Sequence, residues 1–246
     1  GVQTCALPIS AGTITVTADP TQLALVTTEP LTVRGLGVTS SGRRLVQGLD
    51  TNANFSATKR GDDVTCDLRS FTIKQGATII VSAATQLRAR LGGKPNVSGQ
   101  GRIEADLGAL LQQPASTDLA TLSRGRATLT FDGSFADTME AKIALSARDL
   151  VAKQGNRPLG SLEASAEARL KADGTGTFTL PLTLITPTRK SDVTVAGTLA
   201  KPAAPGALAF TGRITSTQLF VEDFQPLAAW RRARRPRLPP RTRPLP

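Results

Sequence analysis

From Leu162 to Leu170 apolar and polar residues alternate without a break. Leu162, Ala164, Ala166, Ala168 and Leu170 fall on one side, and Glu163, Ser165, Glu167 and Arg169 on the other. A period of two belongs to a β-strand with one dry and one wet face. Related patterns predict strands at 13–18, 52–58, 63–68, 70–74, 77–91 and 97–106, with Leu23, Leu25, Leu31, Val33, Leu36 and Val38 in further strand-like stretches. They continue at 126–131, 140–147, 176–184, 192–199, 207–214 and 218–221. Asp19-Pro20 breaks the first run, Glu29-Pro30 stands between Leu25 and Leu31, Ser40-Ser41-Gly42, Gly61-Asp62 and Gln75-Gly76 read as turns, Gly92-Gly93 ends the first set, and 202–206 is a loop. Lys171-Ala172-Asp173-Gly174 reads as a hairpin between two strands. A short helix is expected at 106–113, where Leu107, Leu110 and Leu111 follow a helical spacing and Pro114 stops the run; 118–122 is a candidate for a second turn. Many strands with short connections predict an all-β antiparallel meander.

Internal repetition extends this picture. Leu31-Thr-Val-Arg34-Gly-Leu36, followed by Gly42, Leu45 and Leu49, parallels Leu145-Ser-Ala-Arg148-Asp-Leu150, followed by Gly155, Leu159 and Leu162. Leu68–Ile73 followed by Gly76 is a weaker copy. Leu129-Thr-Phe-Asp-Gly133-Ser-Phe135 matches Val193-Thr-Val-Ala-Gly197-Thr-Leu199, and Gly101-Arg102-Ile103 matches Gly212-Arg213-Ile214. Degenerate repeats suit an extended architecture in which each unit packs on its neighbours.

The two ends differ from the middle. Residues 1–9 (GVQTCALPI) resemble the translation of a sequencing-adaptor oligonucleotide and are expected to lie outside the fold. Residues 230–246 turn to arginine and proline, as in a disordered tail or a frame entered after a frameshift. On this reading the chain is an internal piece of a longer protein, with one β-repeat module at 10–114 and a second at 115–229. The net charge of +11 owes seven arginines to the tail; residues 1–229 hold 23 basic and 19 acidic residues, a balance of +4. Nothing in that body calls for nucleic acid.

Chemistry-bearing constellations are scarce. The chain has no histidine, which removes His-based triads and His-containing zinc sites. With Cys5 in the adaptor-like segment, Cys66 stands alone, alternating with Val64 and Leu68 like a small apolar residue. Asp62-Asp63 near Asp67 fits a solvated turn better than a metal site. Lys171–Thr177 has glycines but opens no helix, so it is no phosphate cradle. Ser191-Asp192 with Arg189 and Lys190 reads as a strand entrance, and Arg34 and Arg148 as repeat-equivalent stems covering a strand face. Asn96-Val97-Ser98 is a short glycosylation-type pattern that recurs by chance. No metal, cofactor or catalytic residue is expected, and the chain reads as non-enzymatic. The dry face is left with two readings: a sandwich core against a second sheet, or an open groove for an apolar ligand. Its many Ala, Thr, Gly and Val positions leave both open.

The alternating strands, the Leu-x-x-Arg-x-Leu units at Leu31 and Leu145, Leu180-Pro181-Leu182-Thr183-Leu184, Ser191-Asp192-Val193-Thr194-Val195-Ala196-Gly197 and Gly212-Arg213-Ile214 with Leu219–Phe224 resemble the AsmA-like proteins of Gram-negative bacteria. The resemblance covers roughly residues 10–229 and rests on pattern; no single motif is specific to the family. It implies a long twisted half-pipe with an apolar inner face, anchored through a parent protein in the inner membrane and extending through the periplasm. It further implies phospholipid transport or outer-membrane assembly, with phospholipid acyl chains, neighbouring repeats of the parent and the membrane as partners. The groove residues expected from the alternation, the repeats and the scarcity of catalytic groups are Ile143, Leu145, Leu162, Ala164, Ala166, Ala168, Leu170, Phe178, Leu180, Val193 and Val195. A structural or adhesive β-repeat of a secreted or surface protein is the alternative; it predicts a closed, dry interior.

Overall fold

The structure, a computed structural model, describes residues 2–3, 9–40, 43–94, 96–116, 122–200, 209–220 and 222. Thirteen strands form one sheet: β1 Val2–Gln3, β2 Ile9–Ala18, β3 Gln22–Ser40, β4 Arg43–Arg60, β5 Asp63–Gln75, β6 Thr78–Arg90 and β7 Asn96–Asp106, then β8 Leu122–Phe135, β9 Thr138–Ala152, β10 Pro158–Lys171, β11 Gly176–Ile185, β12 Lys190–Ala200 and β13 Ala209–Thr215. From β2 to β13 every strand pairs antiparallel with its neighbour in the chain, and β1 joins β3. The fold is the expected all-β extended meander. Among the described residues nothing forms a second layer of sheet.

The pairing crosses the expected module boundary. β7 and β8 are in register from Val97↔Phe135 to Asp106↔Arg126, although the connection between them is the longest excursion on that edge of the sheet. That excursion begins with helix α1, Leu107–Leu111. Asp106 caps it, its Oδ1 accepting from the Ala109 N–H at 2.9 Å. The chain then reaches back over the sheet. Gln113 accepts from the Gln47 N–H of β4 and donates to Gln75 Oε1 of β5, and the Ala115 N–H bonds the Leu45 carbonyl. The buried apolar side chains among the described residues, Leu49, Ile80, Ala147 and Val151, lie toward this edge, called here the helix edge. Among the described residues the rest of the sheet has no enclosed core. The second candidate helix, the loop 202–206 and the tail 230–246 fall outside the described residues, apart from Leu122, which opens β8.

Several expectations are corrected. Residues 63–68 and 70–74 are one strand, β5, with a register shift between Leu68 and Phe71. Glu29-Pro30 does not end a strand; β3 runs through it, with Val26 opposite Ser56 and Leu31 opposite Ala53, so Pro30 occupies a bulge where a missing N–H is tolerated. Of the segment set outside the fold, Val2–Gln3 and Ile9 pair with β3. The chain at 218–220 is not a strand. It is pinned across the start of β12 instead: Asp192 accepts from the Thr217 N–H at 2.7 Å and from its hydroxyl, Ser191 Oγ accepts from the Phe220 N–H at 3.2 Å, and the Arg189 guanidinium lies 4.2 Å from the Phe220 ring centre.

These bonds from Thr217 hold the Asp192 carboxyl below its ordinary value of 3.8. Because the folded value is depressed, the stabilisation is complete above the ordinary carboxylate range and fades as pH falls through the lower, folded value. Followed by NMR in an acid titration, the Thr217 amide resonance is expected to shift with a midpoint below 3.8; a midpoint at or above it would mean the pinning is absent.

The internal repeats are structural. Arg34-Gly35 and Arg148-Asp149 both place the residue after the arginine in the left-handed region, at φ +68° and +54°, and both sit in register shifts against the next strand. Leu129, Phe131, Gly133 and Phe135 pair with Leu145, Ile143, Ala141 and Met139. Val193, Val195 and Gly197 hold the corresponding places beside Leu182, Leu180 and Phe178.

Candidate functional site

Residues directly opposite one another in an antiparallel pair share a face. Following the register therefore draws rows across the sheet. One row runs Gly101, Phe131, Ile143 and Ala166, and continues in register through Leu180, Val195 and Ile214. The next holds Ala83, Ile103, Leu129, Leu145, Ala164, Leu182 and Val193. Toward the helix edge lies Val81, Ala105, Ala127, Ala147, Leu162 and Leu184. On the opposite side come Gly133, Ala141, Ala168 and Phe178, then Phe135, Met139 and Leu170. All eleven residues expected to line a groove thus share one face of one sheet.

The face extends well beyond them. Phe55, Ala57, Cys66, Leu68, Phe71, Ile73 and Leu87 continue the rows through β4, β5 and β6. Their alternation is less clean than that around Leu162, so the sequence pattern alone does not single them out. The match of Leu129–Phe135 to Val193–Leu199 was the signal that could have found β8. Cys66 stands between Ala57 and Leu87 as a free, half-buried thiol.

The face is uncovered among the described residues. Ile143 is 45% exposed, Leu180 41% and Ile214 72%. It is also level. The Phe131 ring lies over Gly101, where a Cβ would come 2.5 Å from Cζ, and the Phe178 ring lies over Gly197, where the same test gives 3.0 Å. Leu87 leans over Gly99 in the same way. Large side chains fold down onto glycine neighbours, an arrangement that stabilises glycine-bearing strands and keeps the surface low. Hollows of about 380 and 510 Å³ open on the other face, the first bounded by Thr128, Ser146, Glu163 and Thr183. The apolar rows form a continuous, low surface across neighbouring strands.

No protein-family model, curated protein or solved structure matches this chain.

The opposite face is wet and charged. Across β9 and β10, Arg169 pairs with Glu140 at 2.6 Å, Arg148 with Glu163 at 3.3 Å and Lys142 with Glu167 at 3.7 Å. Exposed pairs of this kind contribute little each, about 0.2–1 kcal/mol, but they fix which face meets water. Asp62 and Asp63 sit at the β4–β5 turn, and Asp63 pairs with Arg90 at 2.8 Å, which holds its carboxyl below the usual range. Among the described residues no three His, Cys, Asp or Glu side chains gather as a metal site, and no helix is long and apolar enough to cross a membrane.

Proposed function

We propose that the apolar face carries lipid acyl chains, as part of a non-enzymatic, AsmA-like protein of the Gram-negative cell envelope. The reading places it in the periplasm, in a parent held at the inner membrane, and serving phospholipid transport or outer-membrane assembly. The observation behind it is the apolar rows, continuous across neighbouring strands of a single sheet and open to solvent. Exposed apolar surface on this scale marks a binding surface. Each methylene moved from water onto such a face contributes about 0.8 kcal/mol, without any demand for a defined pocket. The polar face, with its cross-strand ion pairs, stays hydrated.

The test is photocrosslinking from single positions in the full chain, using phosphatidylcholine vesicles. Photoreactive residues at Ala166 or Leu180 are expected to label lipid strongly. The same group at Glu167 or Thr179, one residue away on the other face, is expected to label weakly or not at all. Equal labelling from both faces would sink the reading. An absence of labelling from either face, in a folded chain, would favour the structural or adhesive β-repeat.

A further inference from the structure

The sheet begins and ends in open strands. Among the described residues β2 pairs only with β3 and β13 only with β12, so each leaves one row of backbone groups without a partner strand. Every residue from Ser10 to Ala18 and from Ala209 to Thr215 is exposed, Val16 at 59% and Phe210 at 67%. Edge strands of soluble proteins are normally blunted by proline, lysine, bulges or a covering segment. From Ile14 to Ala18 and from Ala209 to Thr215 there is no proline, no lysine and no register shift, and Arg213 is the one charge. The irregularity in β2 lies before this stretch, around Gly12. Ile14, Thr15, Val16 and Thr17 are all β-branched, which suits further strand pairing.

The two edges also fit each other. Twelve strands run from β2 to β13, each antiparallel to the next, so β2 and β13 point in opposite directions. A second copy shifted along the rows therefore brings its β2 antiparallel to β13, with both apolar faces on the same side. One apolar row crosses all twelve strands, entering at Val16, passing Cys66, Leu87 and Ala168, and leaving at Gly212. The adjacent polar row enters at Thr15, passes Asp67 and Glu167, and leaves at Arg213. Continued into a second copy, these rows set Val16 against Gly212, Ile14 against Ile214 and Ala18 against Phe210. On the polar face Thr15 meets Arg213 and Thr17 meets Thr211. No like charges oppose each other in this register, and apolar side chains meet apolar or small ones. A Cβ at Gly212 would stand 3.8 Å from the Phe178 Cζ, so Val16 of the neighbour would rest beside that ring. Pairing β13 with itself over its whole length sets Gly212 against Gly212, and pairing β2 with β2 leaves β13 open.

We infer that the β2 and β13 edges form a head-to-tail interface on which a second copy of this chain docks, extending the sheet without turning over its faces. Such a junction is heterologous: it uses one edge of each copy and leaves the opposite edge free for the next. Association is therefore open-ended and does not stop at a pair. The inference goes beyond the acyl-chain reading and does not rest on it, because the junction is the same whether the apolar face carries lipid or stays dry.

Disulfide trapping in the full chain tests it, in a background of Cys5→Ser and Cys66→Ala. Directly opposite Cα atoms of an antiparallel pair lie about 4.5–5.5 Å apart, within reach of a disulfide. Chains carrying Thr17→Cys alone are mixed with chains carrying Thr211→Cys alone in a glutathione buffer. The covalent heterodimer is expected to form at least about fivefold faster than a homodimer of either variant. Thr13→Cys mixed with Thr211→Cys is out of register by roughly 13 Å and is expected to link no faster than the homodimers. A charge exchange gives a second measurement. Thr15→Glu and Thr15→Arg, opposite Arg213, are expected to differ at least about fivefold in dissociation constant, the glutamate variant associating more tightly. Added salt is expected to shrink that difference. The same exchange at Thr179, mid-sheet on the polar face, controls for net charge and is expected to move the constant less than about twofold. In sedimentation equilibrium the mass of the unmodified chain is expected to keep rising with concentration. A plateau at a pair would mean closure through apolar faces or like edges and would overturn the interface. Homodimers or out-of-register links forming as fast as the heterodimer would overturn it too, as would equal effects at Thr15 and Thr179. A chain that stays monomeric and gives no cross-link would overturn it outright.

Discussion

Gly160→Ala is expected to cost the fold roughly 3–5 kcal/mol, read as a lower urea midpoint with an unchanged slope. Gly160 lies in β10 opposite Leu150, with register shifts on either side, and holds φ at +95°. A side chain there is strained by the backbone angle alone. It also has nowhere to go, because its Cβ would land on the Ile185 carbonyl and 2.9 Å from the Thr186 Cα at the end of β11. Both obstacles are backbone, so no rotamer change relieves them. Gly35→Ala is the control. Gly35 has a similar left-handed conformation, at φ +68°, but a Cβ there meets nothing within 4 Å, and the expected cost is about 1 kcal/mol. Equal costs at the two sites would mean that the close approach of β10 and β11 is not present in solution.

Ala166→Asp has its large effect on binding and a small one on stability. Ala166 sits mid-face, opposite Ile143 and in register with Leu180. On an open face the new carboxylate stays hydrated, and the unfolding free energy is expected to change by less than about 1 kcal/mol. Acyl chains crossing the row must then lie against a charge or strip its water, so lipid labelling from Leu180 is expected to fall at least about tenfold. Denaturation and labelling measured on the same variant separate the alternatives. A loss of more than about 3 kcal/mol would show that the face is covered in the folded protein, as in a sandwich.

The alternation around Leu162 was enough to read both faces of β9 to β12, because period two assigns every side chain once a strand is recognised. It failed where the backbone departs from that period. At Glu29-Pro30 and at Leu68-Arg69-Ser70 a bulge inserts residues without ending the strand, and the broken alternation divides one strand into two stretches. The first half of β4 is hidden in the sequence for the same reason: Arg43-Arg44 and Gly48, at φ +62°, interrupt its apolar positions. Leu219 and Phe220 mislead in the other direction. They look like a strand, but the Phe220 N–H bonds the Ser191 hydroxyl, and the preceding Thr217 N–H the Asp192 carboxylate, in place of a ladder. Whether the dry face was filled or open was not legible, since Ala and Val suit either; it depends on what lies above the sheet.

Pairing between chain neighbours also makes the sheet a surface that evolution can lengthen. A duplicated hairpin adds two strands, or about 10 Å, and carries every row forward without altering the strands already present. A single residue inserted into a strand without a compensating bulge does the opposite and turns its apolar positions into water. Gene duplication is thus the cheap route to a longer span, and the left-handed residues at 35 and 149 are where a one-residue error can be absorbed.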